Sequence, residues 1–496
     1  MVSFPSIFND VLGPVMRGPS SSHSAASLRI GRIALDLMDS NIKNVVVDYD
    51  PNGSLVTTHL SQGSDLGLTG GILGWETDDA RLPNYRDEVT NAGIKIEVRY
   101  LDYGAEHPNT YRLALRGDNK EHTMTAISTG GGMIEVQQID GVPVSMKGDY
   151  FETLIFLKGS DEGLLGWLSQ DNTFEEVLFT ESADCSLINL KGREKPSDEL
   201  LGELKSYSSV SEVRVLNPVL PVLAKKDLKV PFSSVQEMEE YRKGKEEMSL
   251  GELGAIYESE RAGVSLDQVR SQMESLIKTM ENSIALGLKG THYDDRILHS
   301  QSPKFGEKMS AGQLVPGDVL NRIILYVSSM MEMKSSMGVI VAAPTAGSCG
   351  ALPGAVLGVS DAMEKSMDQR IDAMFAAGIV GVFIASGATF AAEEAGCMAE
   401  CGSGASMGAA GIVSLGGGTY KQQMAAASMA LQSSLGMTCD TLANRVEAPC
   451  LGRNVTAASN ALSSANMALA DYDDLVPLNQ VIDAMRQVGD LMPREL

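Results

Sequence analysis

The chain is poor in cysteine and in aromatic residues. It has 6 cysteines among 496 residues, too few and too unevenly placed for the disulfide framework of a small secreted protein. Phe, Trp and Tyr together make up only 5% of the residues, so the cores must be built mainly from aliphatic residues and the 26 Met. With an apolar content of 43%, this length predicts a globular protein of about two to four domains.

Positive charge is also scarce. The 40 Lys and Arg are outnumbered by 64 Asp and Glu, which gives a formal net charge of −24, and no basic run stands out. We therefore expect no nucleic-acid partner, because the phosphates would be repelled. The N-terminus has no basic region followed by an apolar run, so no signal peptide is predicted. We expect a cytoplasmic protein.

One uncharged segment, residues 373–392, is long enough to cross a membrane. It is rich in Ala and Gly rather than in Leu and Ile, and it leads directly into Glu393 and Glu394. These features favour a buried central helix of an all-α domain, so no membrane partner is expected.

The hydrophobic pattern predicts a multidomain protein with three parts. Residues 1–150 mix strand and helix patterns and predict an α/β (α+β) domain. Residues 151–228 show a βαββαβ order, which is typical of a small ferredoxin-like module. Residues 229–496 have apolar residues at helical spacing and predict an all-α domain. Its long helices are expected around residues 315–333, 370–387, 421–435 and 457–468.

Four strands are predicted in the first domain. VVVDYD (45–50) and SLVTTHL (54–60) flank the turn Pro51-Asn52-Gly53, and IKIEVRYLDY (94–103) and HTMTAISTGG (122–131) follow.

The polar turn Ser20, Ser21, Ser22, His23 directly precedes a predicted helix. Unpaired backbone N–H groups and the helix dipole favour an anion at such a position, so the turn suits a substrate carboxylate or phosphate. A serine-rich helix cap with a surface histidine explains the same residues equally well.

Two further polar clusters occur in this domain. Ser61-Gln62-Gly63-Ser64-Asp65 follows the second predicted strand, and His107-Pro108-Asn109-Thr110 could equally be a plain turn. The glycine run at 130–132 permits a close approach of the backbone to a ligand, although alone it is a weak signal.

Four of the six cysteines lie in the last hundred residues. Cys397 and Cys401 occur in GCMAECGSG, Cys439 in GMTCD and Cys450 in APCLGRN, each near Gly, Thr or Pro where the backbone can turn. Thiolate-rich sites suit zinc or iron–sulfur clusters. The spacing is not that of a zinc knuckle, and no His follows His299. From spacing alone, a metal site and scattered structural thiols both stay open.

Several motifs together make the sequence resemble the iron–sulfur-dependent L-serine dehydratases of bacteria. They occur in the order of that family and cover nearly the whole chain. The motifs are GPSSSHS (18–24), HPN (107–109), STGGGMI (128–134), MGVIVAAPTAGSCGALPG (337–354), GCMAECGS (396–403), GMTCD and APCLGRN.

The resemblance implies a 4Fe–4S cluster held by Cys397, Cys439 and Cys450, with one iron open to the substrate. It implies deamination of L-serine to pyruvate and ammonia, in which a base takes the Cα proton and iron takes the β-hydroxyl. The three parts of the chain would be a β-type domain, an ACT-type regulatory module and the catalytic domain. A homodimer with a small amino-acid substrate is expected.

The resemblance also assigns further site residues. His23, His107 and Ser22 are expected to be catalytic. Cys401 falls where the family usually has an apolar residue and Cys349 at a variable position, so neither is predicted to bind iron. The residues expected to bind substrate are Ser20, Ser21, Ser22, Asn109, Ser64 and Asp65.

The sequence departs from the family pattern at the expected pocket. Gln62 stands where a GHGTD-like motif usually has histidine, Lys334 replaces the asparagine of EVNASMG, and the loop at 294–305 differs. L-threonine, L-cysteine or another β-hydroxy acid therefore stay open as substrates, as does a non-catalytic amino-acid sensor. A zinc-stabilised scaffold is disfavoured by the 42- and 11-residue separations of the three cysteines.

Overall fold

The computed structural model describes residues 4–182, 185–439, 442 and 445–492. Two compact units divide the chain. Ser22–Leu228 form the first, here called the sheet unit, and Met1–Ser21 with Lys229–Leu496 form the second, here called the helical unit.

The strands and helices follow one another along the whole chain. The strands are β1 (Val15–Met16), β2 (Asn44–Tyr49), β3 (Lys95–Tyr100), β4 (Thr110–Arg116), β5 (Glu121–Gly130), β6 (Met133–Ile139), β7 (Val142–Met146), β8 (Phe151–Leu157), β9 (Glu176–Glu181), β10 (Ser186–Gly192), β11 (Val210–Leu216) and β12 (Ile340–Val341). The helices are α1 (Ala26–Leu37), α2 (Leu55–Thr58), α3 (Ser64–Ile72), α4 (Tyr85–Asn91), α5 (Glu162–Leu168), α6 (Asp198–Ser206), α7 (Val235–Arg242), α8 (Leu250–Ala262), α9 (Leu266–Leu288), α10 (Ser302–Ser310), α11 (Asp318–Ser335), α12 (Ala351–Ala362), α13 (Met367–Gly387), α14 (Ala392–Cys397), α15 (Ser403–Leu415), α16 (Tyr420–Gln432), α17 (Ala448–Leu469) and α18 (Leu478–Asp490).

A six-stranded sheet forms the larger part of the sheet unit. Its order is β3-β2-β4-β5-β6-β7, with β2 and β3 parallel and the other pairs antiparallel. Helices α1 and α3 pack together at very short range, because a Cβ on Gly71 would lie 2.0 Å from the carbonyl oxygen of Leu28. The mixture of strands and helices predicted for residues 1–150 is confirmed.

The second sheet of this unit has the order β11-β8-β10-β9 and is antiparallel throughout. With α5 and α6 it gives the expected βαββαβ succession, and its first and third strands are central, as in ferredoxin-like folds. One face of the sheet shares a core with both helices through Ile155 and Leu190. The other face contributes Leu154, Phe156 and Leu187 to the core of the six-stranded sheet. Both faces are therefore covered.

The strand predicted over residues 54–60 is wrong, because helix α2 begins there at Leu55. The hydroxyl groups of Thr57 and Thr58 donate to the carbonyl oxygen of Ser54, over 3.2 and 2.7 Å. Such local hydrogen bonds give a threonine-rich segment an alternative to strand pairing. The other three strands predicted in this region are present as β2, β3 and β5.

The helical unit contains α7 to α18 and one small pair of strands. Strand β12 pairs antiparallel with β1, an element that the helical pattern did not predict. Helix α13 is apolar and long enough to cross a membrane, but 72% of its most apolar 18-residue window is buried inside the protein. This matches the predicted central helix of a packed domain.

The first described residues belong to the helical unit, whereas the predicted first domain included them. Their anchor is Glu258, which is fully buried on α8. Its carboxylate accepts hydrogen bonds from the Ser6 hydroxyl (2.5 Å) and the Ile7 amide (2.7 Å). Because a buried carboxylate needs such donors, the segment is held in place.

Capping boxes define where several helices of this unit start. In each, a Ser or Thr side chain accepts from the backbone three residues later, and the Glu or Gln there returns the bond. The pairs are Ser249 with Glu252, Ser265 with Gln268, Ser366 with Gln369, and Thr419 with Gln422.

Candidate functional site

The cysteine-bearing segments of the helical unit meet at tight turns. Cys397 ends α14 directly after Gly396, whose φ of 63° lies in the left-handed region. A Cβ on Gly396 would lie 2.8 Å from the carbonyl oxygen of Met437, which itself accepts from the amide of Met398 at 2.9 Å. Glycine therefore allows the segment with Cys397 to lie against the segment that leads to Cys439.

The three cysteines predicted to bind iron are neighbours. All are unbridged; Cys397 and Cys450 are buried and Cys439 is half-buried. The pKa of Cys397 is raised above its usual range by a hydrogen bond with the Cys439 thiol and by burial. Burial raises the pKa of Cys450 to about 12, and Cys439 acts in the same direction. The folded chain thus brings together thiols that lie up to 53 residues apart.

Two more buried thiols belong to this neighbourhood. The pKa of Cys401 is raised by burial and by the charges of Glu400 and Cys450, and burial raises the pKa of Cys349 to about 12. The sequence interpretation set both aside. The spacing of Cys397 and Cys401, about one helical turn, was the signal that they could face the same space.

A buried asparagine ties these segments together. The Asn454 carbonyl oxygen accepts from the amides of Gly350 (3.1 Å) and Ala351 (2.8 Å). Its side-chain nitrogen donates to the carbonyl oxygens of Gly347 and Cys450, both at 2.7 Å. Asn454 therefore links the loop before α12 to the first turn of α17, which carries Cys450.

Two charged side chains lie beside these thiols. The cysteine site, as the term is used below, comprises these two side chains and Cys349, Cys397, Cys401, Cys439 and Cys450. Lys334, near the end of α11, is fully buried. Burial raises the pKa of Glu400 to about 7, although the Thr345 hydroxyl donates to this carboxylate at 2.5 Å. The charge of Lys334 opposes the rise in pKa at both Glu400 and Cys450.

The chemistry of these donors fits an iron–sulfur cluster, because thiolates are the protein ligands that such clusters use. Over the described ranges, no three His, Cys, Asp or Glu side chains stand as a group that could hold a metal ion. The thiols are nevertheless unbridged and mostly buried, and those of Cys397 and Cys439 are joined by a hydrogen bond. Thiolate is the form that binds a metal, so occupation of this site would release the thiol protons.

A second polar site lies in the sheet unit, around the short helix α2. His23 is buried, and burial lowers its pKa to about 4. Its Nε2 lies 3.0 Å from the Thr58 hydroxyl, which gives its own proton to the Ser54 carbonyl oxygen. The Thr58 hydroxyl oxygen is thus placed to accept a hydrogen bond from Nε2 of the neutral His23 ring.

The HPN motif joins the same network. The Ser54 hydroxyl donates to the side-chain oxygen of Asn109. The backbone N–H of Asn109 donates to His107 Nδ1 at 3.1 Å. The polar turn and the HPN motif, more than 80 residues apart in sequence, are thus connected through α2. Ser22 is buried at the start of this unit.

The third polar cluster contains a histidine that the sequence interpretation missed. His59 is buried, with Nδ1 2.7 Å from an Asp65 carboxylate oxygen and Nε2 2.8 Å from the Tyr100 hydroxyl. Asp65 therefore holds an imidazole, whereas Ser64 lies 2.9 Å from the Tyr111 hydroxyl. The sequence interpretation missed the His59–Asp65 pair because it predicted a strand over residues 54–60.

The other two serines of the polar turn belong to the helical unit. The Ser21 hydroxyl accepts from the amide of Ala346 at 3.2 Å, in the loop that Asn454 also contacts. Ser20 is partly exposed. The four residues of the predicted turn are thus divided between the two compact units.

Known proteins resemble this chain over nearly its full length. The family described as "Serine dehydratase alpha chain" matches residues 228–496. The probable L-serine dehydratase, alpha chain, of Bacillus subtilis (strain 168) is 33% identical over 53% of this chain and 88% of its own length. The probable beta chain from the same organism is 30% identical over 43% of this chain and 98% of its own length.

A single-chain relative spans both regions. L-serine dehydratase 2 of Escherichia coli (strain K12) is 26% identical over 95% of this chain and 92% of its own length. The family match covers more than half of the chain, and it contains all of the clustered cysteines. This chain therefore belongs to the L-serine dehydratase family, in its single-chain form.

Proposed function

We propose that the protein deaminates L-serine to pyruvate and ammonia and depends on a 4Fe–4S cluster held by Cys397, Cys439 and Cys450. The observation that carries the proposal is the convergence of these thiols in the folded helical unit. The relatives named as L-serine dehydratases support the substrate.

The protein's part in this chemistry begins with the thiolates that would hold the cluster. When bound, such a cluster supplies an iron that acts as a Lewis acid toward a hydroxyl group. Burial of the surrounding side chains keeps water from the reacting centre and strengthens the electrostatic interactions there.

We assign the substrate contacts to the polar residues of the turn and of the sheet unit. Removal of the Cα proton needs a base within hydrogen-bond reach. The ring of His23 is neutral near pH 7, because burial holds its pKa at about 4, and the neutral imidazole is the form that can act as a base. His107 and Ser22 are proposed as its catalytic partners. The proposed substrate-binding residues are Ser20, Ser21, Ser22, Asn109, Ser64 and Asp65.

A non-catalytic amino-acid sensor is the second candidate. It is favoured by Gln62, which is buried where the family pattern has an imidazole, since a neutral amide has no useful basicity. The buried His59–Asp65 pair lies one turn away and supplies an imidazole to the same segment. A keto-acid assay decides between the two functions.

We propose that residues 151–228 are an ACT-type module that binds a regulatory amino acid or joins two copies of a cytoplasmic homodimer. Its strand order supports this assignment, and β9 is an edge strand with Leu178 exposed. Deleting the module would uncover the core that it shares with the larger sheet, so a point variant is the better test. Light scattering should give a dimer mass, and Leu178→Lys should weaken the dimer if β9 forms the contact.

The proposed chemistry is tested with protein purified without oxygen. Iron and sulfide analysis should give about four of each per chain, and each of Cys397→Ser, Cys439→Ser and Cys450→Ser should lose them. Cys185→Ser is the matched control, since Cys185 lies outside the helical unit. Turnover of L-serine, L-threonine and L-cysteine is then compared. Bound zinc without sulfide would exclude the cluster.

A further inference from the structure

Lys334 is a buried lysine that forms no ion pair with a carboxylate of the described residues. The residue is fully buried, and its Nζ has one hydrogen-bond acceptor in the described part of the chain, the carbonyl oxygen of Val446 at the long distance of 3.5 Å. Among the same residues, no Asp or Glu oxygen lies within ion-pair distance of it. The nearest acidic residue in sequence, Glu332, is occupied elsewhere, since it accepts from the amides of Gln301 and Ser302.

The surroundings of this ammonium are thiols. Lys334 acts electrostatically on Cys349, Cys401 and Cys450 and, more weakly than burial does, on Glu400. Its hydrogen-bond acceptor, Val446, precedes Cys450 by four residues. The contact with Val446 therefore places the amine beside the cysteine site, where Glu400 is an acidic neighbour.

The position of Lys334 in the last turn of α11 does not explain its burial. A cation at a helix C-terminus gains only a small stabilisation from the helix dipole. Removing an ammonium from water costs much more than this gain, even after the protein relaxes. Negative charge offsets such a cost; Glu400 can supply part of it, and cysteines acquire negative charge when they bind a metal.

We propose that Lys334 is the counter-ion of the cysteine site: its ammonium offsets the negative charge that Cys450 and its neighbours carry when they hold the cluster. This inference rests on the proposed function and adds a role for a residue that the family pattern does not contain. Positive charge and N–H donors near cluster sulfurs raise the reduction potential of a cluster. Lys334 therefore makes the cluster harder to oxidise and slower to lose iron in air. It is a positioning residue, since it acts through the ligands.

The test compares wild type with Lys334→Met, which keeps most of the volume and removes the charge. Lys278→Met is the matched control, because Lys278 is exposed on α9 and forms an ion pair with Glu274 on the same helix. Oxygen-free preparations are analysed for iron and sulfide, for the reduction potential by redox titration, and for the rate at which the visible absorbance bleaches in air. We expect Lys334→Met to have a lower potential and to bleach several-fold faster, with Lys278→Met unchanged.

A second measurement separates the charge from a merely structural role. In metal-free protein, Lys334→Met should raise the unfolding temperature, because a buried ammonium without a partner has been removed. The variant should thus stabilise the empty fold and weaken cluster retention, two effects of opposite sign. Equal potential and equal bleaching in Lys334→Met and wild type would overturn the proposal and leave the proposed function intact. Wild type without iron and sulfide would overturn both.

Discussion

Replacing Asn454 by Ala should loosen the cysteine site. The change removes the acceptor of two buried backbone amides, those of Gly350 and Ala351, and the donor to two carbonyl oxygens. An unsatisfied buried polar group costs about 1–3 kcal/mol. The two amides alone therefore predict a loss of about 2–6 kcal/mol, a large share of a typical free energy of unfolding of about 5–15 kcal/mol.

The assay is urea unfolding of metal-free Asn454→Ala, followed by iron analysis of protein prepared without oxygen. Asn460→Ala is the matched control on the same helix, because Asn460 donates to the Ala430 carbonyl oxygen at 2.8 Å in a half-buried position. It should lose only about 1 kcal/mol. Asn454→Ala should also retain less iron, since the loop and Cys450 are no longer tied together. An unfolding free energy and an iron content equal to those of the control would refute this reasoning.

Two other predictions concern the sheet unit. Burial raises the pKa of Glu152 from the ordinary value of 4.5 to about 8, so the folded protein favours the protonated carboxyl group. The contribution of this group to the free energy of unfolding is therefore full below pH 4.5 and is lost as the pH rises through about 8. The shift corresponds to at most about 5 kcal/mol, so thermal unfolding of Glu152→Gln should be less sensitive to pH between 5 and 9 than that of wild type; parallel curves would contradict this. His107→Ala should lower L-serine turnover at unchanged iron content, because it removes one proposed catalytic group, and full turnover would remove His107 from the mechanism.

Much of the architecture could be predicted because it follows from local sequence patterns of hydrophobic spacing and helix capping. The βαββαβ order of the small module follows from strand alternation and two helical segments, and the observed strand order agrees with it. The helical unit follows from apolar spacing and from capping residues such as Ser366, three residues before Gln369. The family motifs also identified Cys397, Cys439 and Cys450 as candidate ligands, and their role in holding a cluster stays a prediction.

The errors arose where contacts outweigh local pattern. The segment at 54–60 has the β-branched residues of a strand, but side-chain bonds to the Ser54 carbonyl oxygen allow a helical turn. That turn positions Thr58 against His23 and His59 against Asp65, two contacts that a strand would not make. No pattern in the sequence predicts them.

The environment of Lys334 could not be predicted from the sequence. Its replacement of the family's asparagine could be read from the sequence, but its surroundings could not. It lies more than 100 residues before Cys450, and only the packing of α11 against α17 brings the two together. The role of a buried cation depends on the groups around it, and those neighbours could be identified only from the structure.

The central claim is tested most directly by one measurement on protein purified without oxygen: the pyruvate formed from L-serine, related to the iron and sulfide bound per chain. The account predicts pyruvate at a rate proportional to cluster content, and loss of both cluster and activity in Cys450→Ser. Turnover in protein free of iron and sulfide would contradict the account, as would a full cluster without any pyruvate.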